Sequence, residues 1–289
     1  MNANLLDLSA KIDEQTCAVY EAIAAVAVAH GIPFFVVGAT ARDVILVHGY
    51  GLSIKRMTED VDFGVQVSSW EQYMQLTSAL IETGQFTKDA EKQRLIYQTK
   101  TMVDIVPFGP ITSNNQTITW PPEQAVVMSV QGFEDAYRHA QLVRLKVTPE
   151  LIIPFASPAG LAIMKMIAWC DRGPALRVKD ALDLAYLMRT YADANNLERL
   201  YEQHADLLTR HDFALEPSGA GLLGRDIAII ASPKTRDAIL KILAGETGEQ
   251  AQYRLVEDMV RTDLLSDNVF DDALTLLEAL KLGIKDTVN

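Results

Sequence analysis

Thr58-Glu59-Asp60-Val61-Asp62-Phe63-Gly64-Val65-Gln66-Val67 is the stretch from which the fold is read. From Asp60 onward apolar residues fall at every second position, the period of a β-strand with one buried face. Residues two apart on a strand share a face, with Cα atoms roughly 6.5–7 Å apart. Burying Val61, Phe63, Val65 and Val67 therefore sets Asp60 and Asp62 side by side on the other face. Two anions held so repel unless a cation lies between them or water screens them. The alternative is a plain solvent-facing strand, where like charges cost little.

A third carboxylate, Asp104, stands inside Met102-Val103-Asp104-Ile105-Val106, an otherwise apolar run of buried-strand type. Buried alone it would carry a desolvation penalty of several kcal/mol unless paired or bound to metal. Its alternative is an outward-facing place on an edge strand. If Asp104 lies beside Asp60 and Asp62, the three make a hard-oxygen environment suited to Mg²⁺. Two such ions roughly 3.5–4 Å apart would hold the attacking and leaving oxygens of a phosphoryl displacement. Upstream, the strand Phe34-Phe35-Val36-Val37 runs into Gly38-Ala39-Thr40 and then a helix from Ala41 to His48. A strand, a glycine turn and a helix start can receive an anion on free backbone N–H groups. Thr40 adds a hydroxyl, and with Asp43 it also reads as an ordinary helix-capping pair.

Outward from these segments, Leu8 to His30 reads as an alanine-rich helix, Ser69 opens another with Gln72 as capping partner, and Arg94–Thr99 reads as a strand. Pro107 to Pro122 reads as loop. Strands follow at Gln141–Val147 and Leu151–Phe155. From Ser157-Pro158, an N-cap followed by proline at the first helical position, helices take over: Pro158–Asp171, Leu176–Tyr191, Leu197–Thr209 and more to Leu282. The expectation is an α+β chain. A mixed β-sheet with flanking helices fills a domain over 1–156, and a helical domain spans 157–289.

Val37-Gly38-Ala39, Asp60-Val61-Asp62 and Val103-Asp104-Ile105 together resemble the DNA polymerase β-like nucleotidyltransferase superfamily. Met164-Lys165 through Asp171-Arg172, followed by Val178-Lys179-Asp180-Ala181-Leu182-Asp183-Leu184, is similar to the Lys…Arg…Lys-Asp-x-x-Asp-Leu block of AbiEii-type toxin nucleotidyltransferases and related bacterial proteins. The resemblance implies metal-dependent transfer of NMP from an NTP donor, with Mg²⁺ (or Mn²⁺) on Asp60, Asp62 and Asp104. It implies nucleotide contacts from Gly38, Ala39, Thr40, Arg42 and Arg56. Lys165 would touch phosphate, and Asp180 would orient it or assist the chemistry. An ordinary inter-helix salt bridge explains Lys165, Arg172, Asp180 and Asp183 equally well. Ala39 stands where the superfamily has a second Gly or a Ser, and it supports an alternative: a degenerate fold that binds a nucleotide or a protein without turnover. The acceptor is left open between RNA (tRNA), a protein and a small molecule, and an antitoxin partner is implied.

Composition narrows the rest. The 289 residues carry a formal net charge of -12, which disfavours broad non-specific nucleic-acid binding without excluding a local basic groove. No apolar run is long enough for a membrane span, and Met1–Asp7 lacks a basic signal-type start, so a cytoplasmic place is expected. Cys17 and Cys170 have no metal-type spacing, and the five histidines form no ligand set.

Overall fold

The computed structural model describes residues 5–9, 11–53, 60–122, 127–261 and 268–287, and the chain divides into two units, Met1–Ser157 and Pro158–Asn289. The first unit is built on strands β1 (Leu5–Asp7), β2 (Phe34–Val37), β3 (Asp60–Gln66), β4 (Phe86–Lys88), β5 (Arg94–Tyr97), β6 (Thr101–Phe108), β7 (Thr117–Thr119), β8 (Val127–Ser129), β9 (Gln141–Lys146) and β10 (Leu151–Phe155). Eight form one sheet in the order β1-β9-β10-β2-β3-β6-β5-β4, and β7 pairs with β8. The large sheet is mixed: β3 and β6 run parallel, as do β10 and β2, while β2 and β3 run antiparallel. Helices α1 (Glu14–Ala29), α2 (Gly38–Asp43), α3 (Trp70–Glu82) and α4 (Phe133–Arg138) accompany it. A π-helical stretch, Val44–Gly49, continues α2.

The alternation in β3 does what its period requires. Val61, Phe63 and Val65 are buried, as are Val103 and Ile105 beside them. Tyr20 of α1 meets Phe63 edge-on at 6.1 Å between ring centroids, and the Tyr73 hydroxyl of α3 donates to the Ile105 carbonyl at 3.1 Å. The opposite face is divided. Asp60 and Asp62 stand half-buried at the start of β3, whereas farther along Phe35 packs on Phe108, Phe133 and Tyr137. Gly64 lies opposite Phe35, and a Cβ there would come within 2.3 Å of the ring.

Several boundaries differ from the sequence expectation. The first helix begins at Glu14, where the Asp13 carboxylate accepts from the Thr16 N–H at 2.9 Å. Leu5–Asp7 instead pairs with β9. α2 starts at Gly38, so Thr40 lies inside the helix and does not cap it. β6 runs through Pro107. Pro107 stays paired with Val65 of β3. Its nitrogen faces the β5 side, as the Ile105 N–H that donates to Gln93 does two residues earlier, and there the β5 pairing has already ended.

The second unit is helical: α5 (Pro158–Asp171), α6 (Pro174–Thr190), α7 (Leu197–Glu202), α8 (Ala205–Arg210), α9 (Leu215–Ile230), α10 (Pro233–Glu246), α11 (Arg254–Val260) and α12 (Val269–Asp286). α9 and α12 approach backbone to backbone. A Cβ on Gly283 would lie 2.0 Å from the Gly221 carbonyl oxygen, and one on Gly224 would lie 2.2 Å from that of Leu280. Among the described residues no helix is long and apolar enough to cross a membrane.

Candidate metal and nucleotide site

Parallel pairing of β3 with β6 puts Asp62 directly beside Asp104, and Asp60 beside Met102. Residues in register on neighbouring strands present their side chains on the same face, so all three aspartates share one face. One carboxylate oxygen from each of Asp60, Asp62 and Asp104 lies within 4.8 Å of the other two. Oxygens bound to one hard divalent cation at ~2.0–2.6 Å lie at most about twice that distance apart, so three carboxylate oxygens gathered this closely suit such an ion. The edge-strand alternative for Asp104 does not hold, because β6 lies between β3 and β5.

The row continues one strand further. Arg94 of β5 is in register with Asp104, and its Nε and Nη2 donate to the two carboxylate oxygens at 2.7 and 2.8 Å. Hydrogen bonding to Asp104 holds the guanidinium above its ordinary pKa range. Sequence reading placed Arg94 on a strand but assigned it no role. The signal was available: closing Arg94–Thr99 and Met102–Val106 as a tight hairpin with Tyr97 opposite Thr101 sets Arg94 opposite Asp104.

The glycine turn proves to be a support for the carboxylates. Gly38 has φ of +71°, and a Cβ built on it would stand 1.9 Å from Asp62 Oδ2. The missing side chain is therefore what leaves room for the Asp62 carboxylate. The Thr40 hydroxyl donates to the Asp60 carbonyl oxygen at 2.6 Å. Its one proton is spent on fixing the start of β3, a partner the sequence alone does not announce. Ala39 is buried. Arg42 is also buried, its Nε donating to Asp43 Oδ1 at 2.8 Å within α2. Arg56 lies outside the described residues.

Lys165 and Asp180 belong to the second unit, where α5, α6 and the turn between them supply a four-residue cluster. Lys165 Nζ of α5 lies 3.1 Å from Asp180 Oδ1 and 2.7 Å from Asp183 Oδ2, both on α6. Arg172 Nη1 contacts both Asp180 oxygens at 3.0 and 2.8 Å. Burial pulls the Lys165 pKa down, but Asp183 and Asp180 outweigh it and leave the ammonium above its ordinary value. Asp180 is fully buried. This geometry is that of an inter-helix clamp: the half-buried ammonium points at carboxylates of its own unit.

Residues 21–275 match the family described as "Nucleotidyl transferase AbiEii toxin, Type IV TA system". No curated protein matches the chain in sequence. Among solved structures, ANT(2")-Ia in complex with adenylyl-2"-tobramycin is similar at 12% identity and TM-score 0.37, over 68% of this chain and 99% of that one. The Thermotoga maritima CCA-adding enzyme complexed with tRNA is similar at 9% identity and TM-score 0.27, over 98% and 85% of the respective chains. Likeness at this level assigns no activity.

Proposed function

This chain belongs to the AbiEii nucleotidyl transferase toxin family, and from that premise we propose that it moves a nucleoside monophosphate from an NTP to an acceptor, using Mg²⁺ or Mn²⁺ held by Asp60, Asp62 and Asp104. The acceptor hydroxyl oxygen bonds to the α-phosphorus and its proton passes to solvent, the bond from that phosphorus to the bridging oxygen breaks, and pyrophosphate leaves. The observation that carries this reading is the convergence of three carboxylate oxygens within 4.8 Å, from two strands locked in register.

Each nearby residue has a part in that reading. Asp60, Asp62 and Asp104 supply the oxygen ligands, and a divalent ion bound to them offsets the charge of the transferred phosphoryl group. Gly38 gives Asp62 its place, Thr40 ties down Asp60, and the backbone at Gly38–Ala39 is the proposed approach for the triphosphate. Lys165 and Asp180 enter as a clamp within the helical domain. The transfer chemistry is assigned to the domain over 1–156, with 157–289 as the helical domain. The acceptor is an RNA such as tRNA, a protein or a small molecule. With a net charge of -12, a nucleic-acid acceptor is gripped locally and not through general phosphate attraction. The protein acts in the cytoplasm, in a pair with an antitoxin.

Asp62→Asn tests the proposal. It keeps the side-chain shape and removes one negative charge from the cluster. Transfer of label from [α-³²P]NTPs to tRNA, cell protein and cationic small molecules, assayed in parallel, should fall by at least about 100-fold, in line with losses for groups that stabilise transition-state charge. The melting temperature should stay level or rise, because repulsion among the carboxylates is relieved. Equal transfer by both forms would sink the metal site. Ala39 favours a second reading, since its methyl offers no hydroxyl to a triphosphate: wild type that binds Mg²⁺–NTP yet labels nothing would be a nucleotide sensor.

A further inference from the structure

Arg94 touches one of the three carboxylates with two nitrogens of its guanidinium, Nε and Nη2, and no metal-ligand motif predicts a cation there. We propose that Arg94 weakens binding of the bare divalent ion and strengthens binding of the ion together with a triphosphate, so that the site selects the metal–nucleotide complex over free metal. This rests on the metal-site reading above.

The geometry leads to it in three steps. First, Asp62, Asp104 and Arg94 form one row across β3, β6 and β5, each in register with the next. Arg94 is therefore seated two strands away from Asp62 on the same face, with Asp104 between them. Second, the grip on Asp104 is bidentate, at 2.7 and 2.8 Å, and a third nitrogen, Nη1, lies 3.4 Å from the Met102 sulfur. Planar two-point pairing of this kind is short, strong and fixed in direction. Only 22% of the Arg94 side chain and 13% of the Asp104 side chain are exposed, so the charge is poorly screened. Third, the sign of the effect does not depend on whether the guanidinium moves. If it stays, its positive charge repels an incoming cation. If it leaves, the ion must break two charge-assisted hydrogen bonds. A triphosphate reverses the balance, because it brings negative charge to the same place and attracts the guanidinium.

The experiment measures Mn²⁺ binding calorimetrically, alone and with inorganic tripolyphosphate, for wild type, Arg94→Gln and Asp62→Asn. Arg94→Gln should bind Mn²⁺ alone roughly three- to tenfold more tightly than wild type, the scale of one partly buried charge acting across a few ångströms. It should also lose most of the gain in Mn²⁺ affinity that tripolyphosphate confers on wild type. Arg94→Lys keeps the charge without the fork and should stay within about twofold of wild type for Mn²⁺ alone. Should Arg94→Gln fail to fold, Arg94→Met, whose apolar stem can lie along Met102, takes its place. Arg94 variants that bind Mn²⁺ alone no more tightly than wild type overturn the inference while leaving the metal site standing. Undiminished Mn²⁺ binding by Asp62→Asn removes the metal site itself, whatever the Arg94 variants do.

Discussion

A single methyl group at position 38 tests how closely the carboxylates are fitted to the backbone. In Gly38→Ala the new Cβ would lie 1.9 Å from Asp62 Oδ2, on a residue whose φ is +71°. The carboxylate can rotate away, so the steric conflict falls on the site, while the left-handed backbone burdens stability by about 1–2 kcal/mol. The expected result is a modest drop in the urea midpoint with loss of Mn²⁺ binding out of proportion to it. Unchanged Mn²⁺ affinity would show that Asp62 does not need its present place. At this scale the aspartates were legible because alternation and an isolated Asp in an apolar run are local patterns. Thr40 was not, since its hydroxyl serves a carbonyl twenty positions away. Arg94 became visible only when two strands were set in register.

Among the elements, α9 and α12 make the contact least tolerant of change. Gly283→Ala would push a Cβ against the Gly221 carbonyl oxygen, backbone meeting backbone with no flexible side chain to yield. The helices must separate, and overpacking of this kind costs about 1–3 kcal/mol. A fall in denaturant midpoint of that size is expected, without any change in Mn²⁺ affinity; a stabilised variant would contradict the close approach. The fold class was legible from the switch of period, two-residue in β3 and helical beyond Ser157. What stayed hidden depended on distant partners. Leu197–Thr209 reads as one helix, yet it breaks into α7 and α8. Arg199 of α7 pairs with Asp226 and Asp206 of α8 with Arg225, and the chain bends to reach these adjacent residues of α9. β1 pairs with β9, more than a hundred residues on, and no local pattern in three residues announces that.

For the whole molecule, the titrating groups predict a stability plateau from about pH 6.5 to 10. The His204 and His211 imidazoles are held below their ordinary 6.5 by burial, so stability begins to slip as pH falls past that value. Burial holds the phenols of Tyr20, Tyr73 and Tyr191 above their ordinary value of 10.0, and Lys165 lies above 10.5. The folded chain thus keeps protons that the unfolded chain releases, so their contribution is full below about pH 10 and falls as pH rises further. On the acid side, hydrogen bonds from Thr16 and Arg225 hold Asp13 and Asp206 below 3.8. Their contribution is present above about pH 4 and fades as pH drops through the folded values. Urea midpoints measured from pH 3 to 11 should trace this plateau, and Lys165→Met should soften the alkaline fall; a midpoint that climbs beyond pH 10 would contradict these assignments. The strand order carries a consequence for synthesis on the ribosome. Every strand that bears Asp60, Asp62, Asp104 or Arg94 is complete once residue 108 has been made, but the neighbour of β2 on its other side is β10, the last strand of the sheet. N-terminal segments emerge and begin to fold first. A chain that ends between Phe108 and Leu151 therefore contains every residue of the carboxylate row but lacks the strand that covers β2, which leaves Phe34-Phe35-Val36-Val37 a bare apolar edge. Such an edge invites pairing with other chains, so the hazardous translation products are the long incomplete ones, and release from that hazard waits on Phe155 reaching Val36.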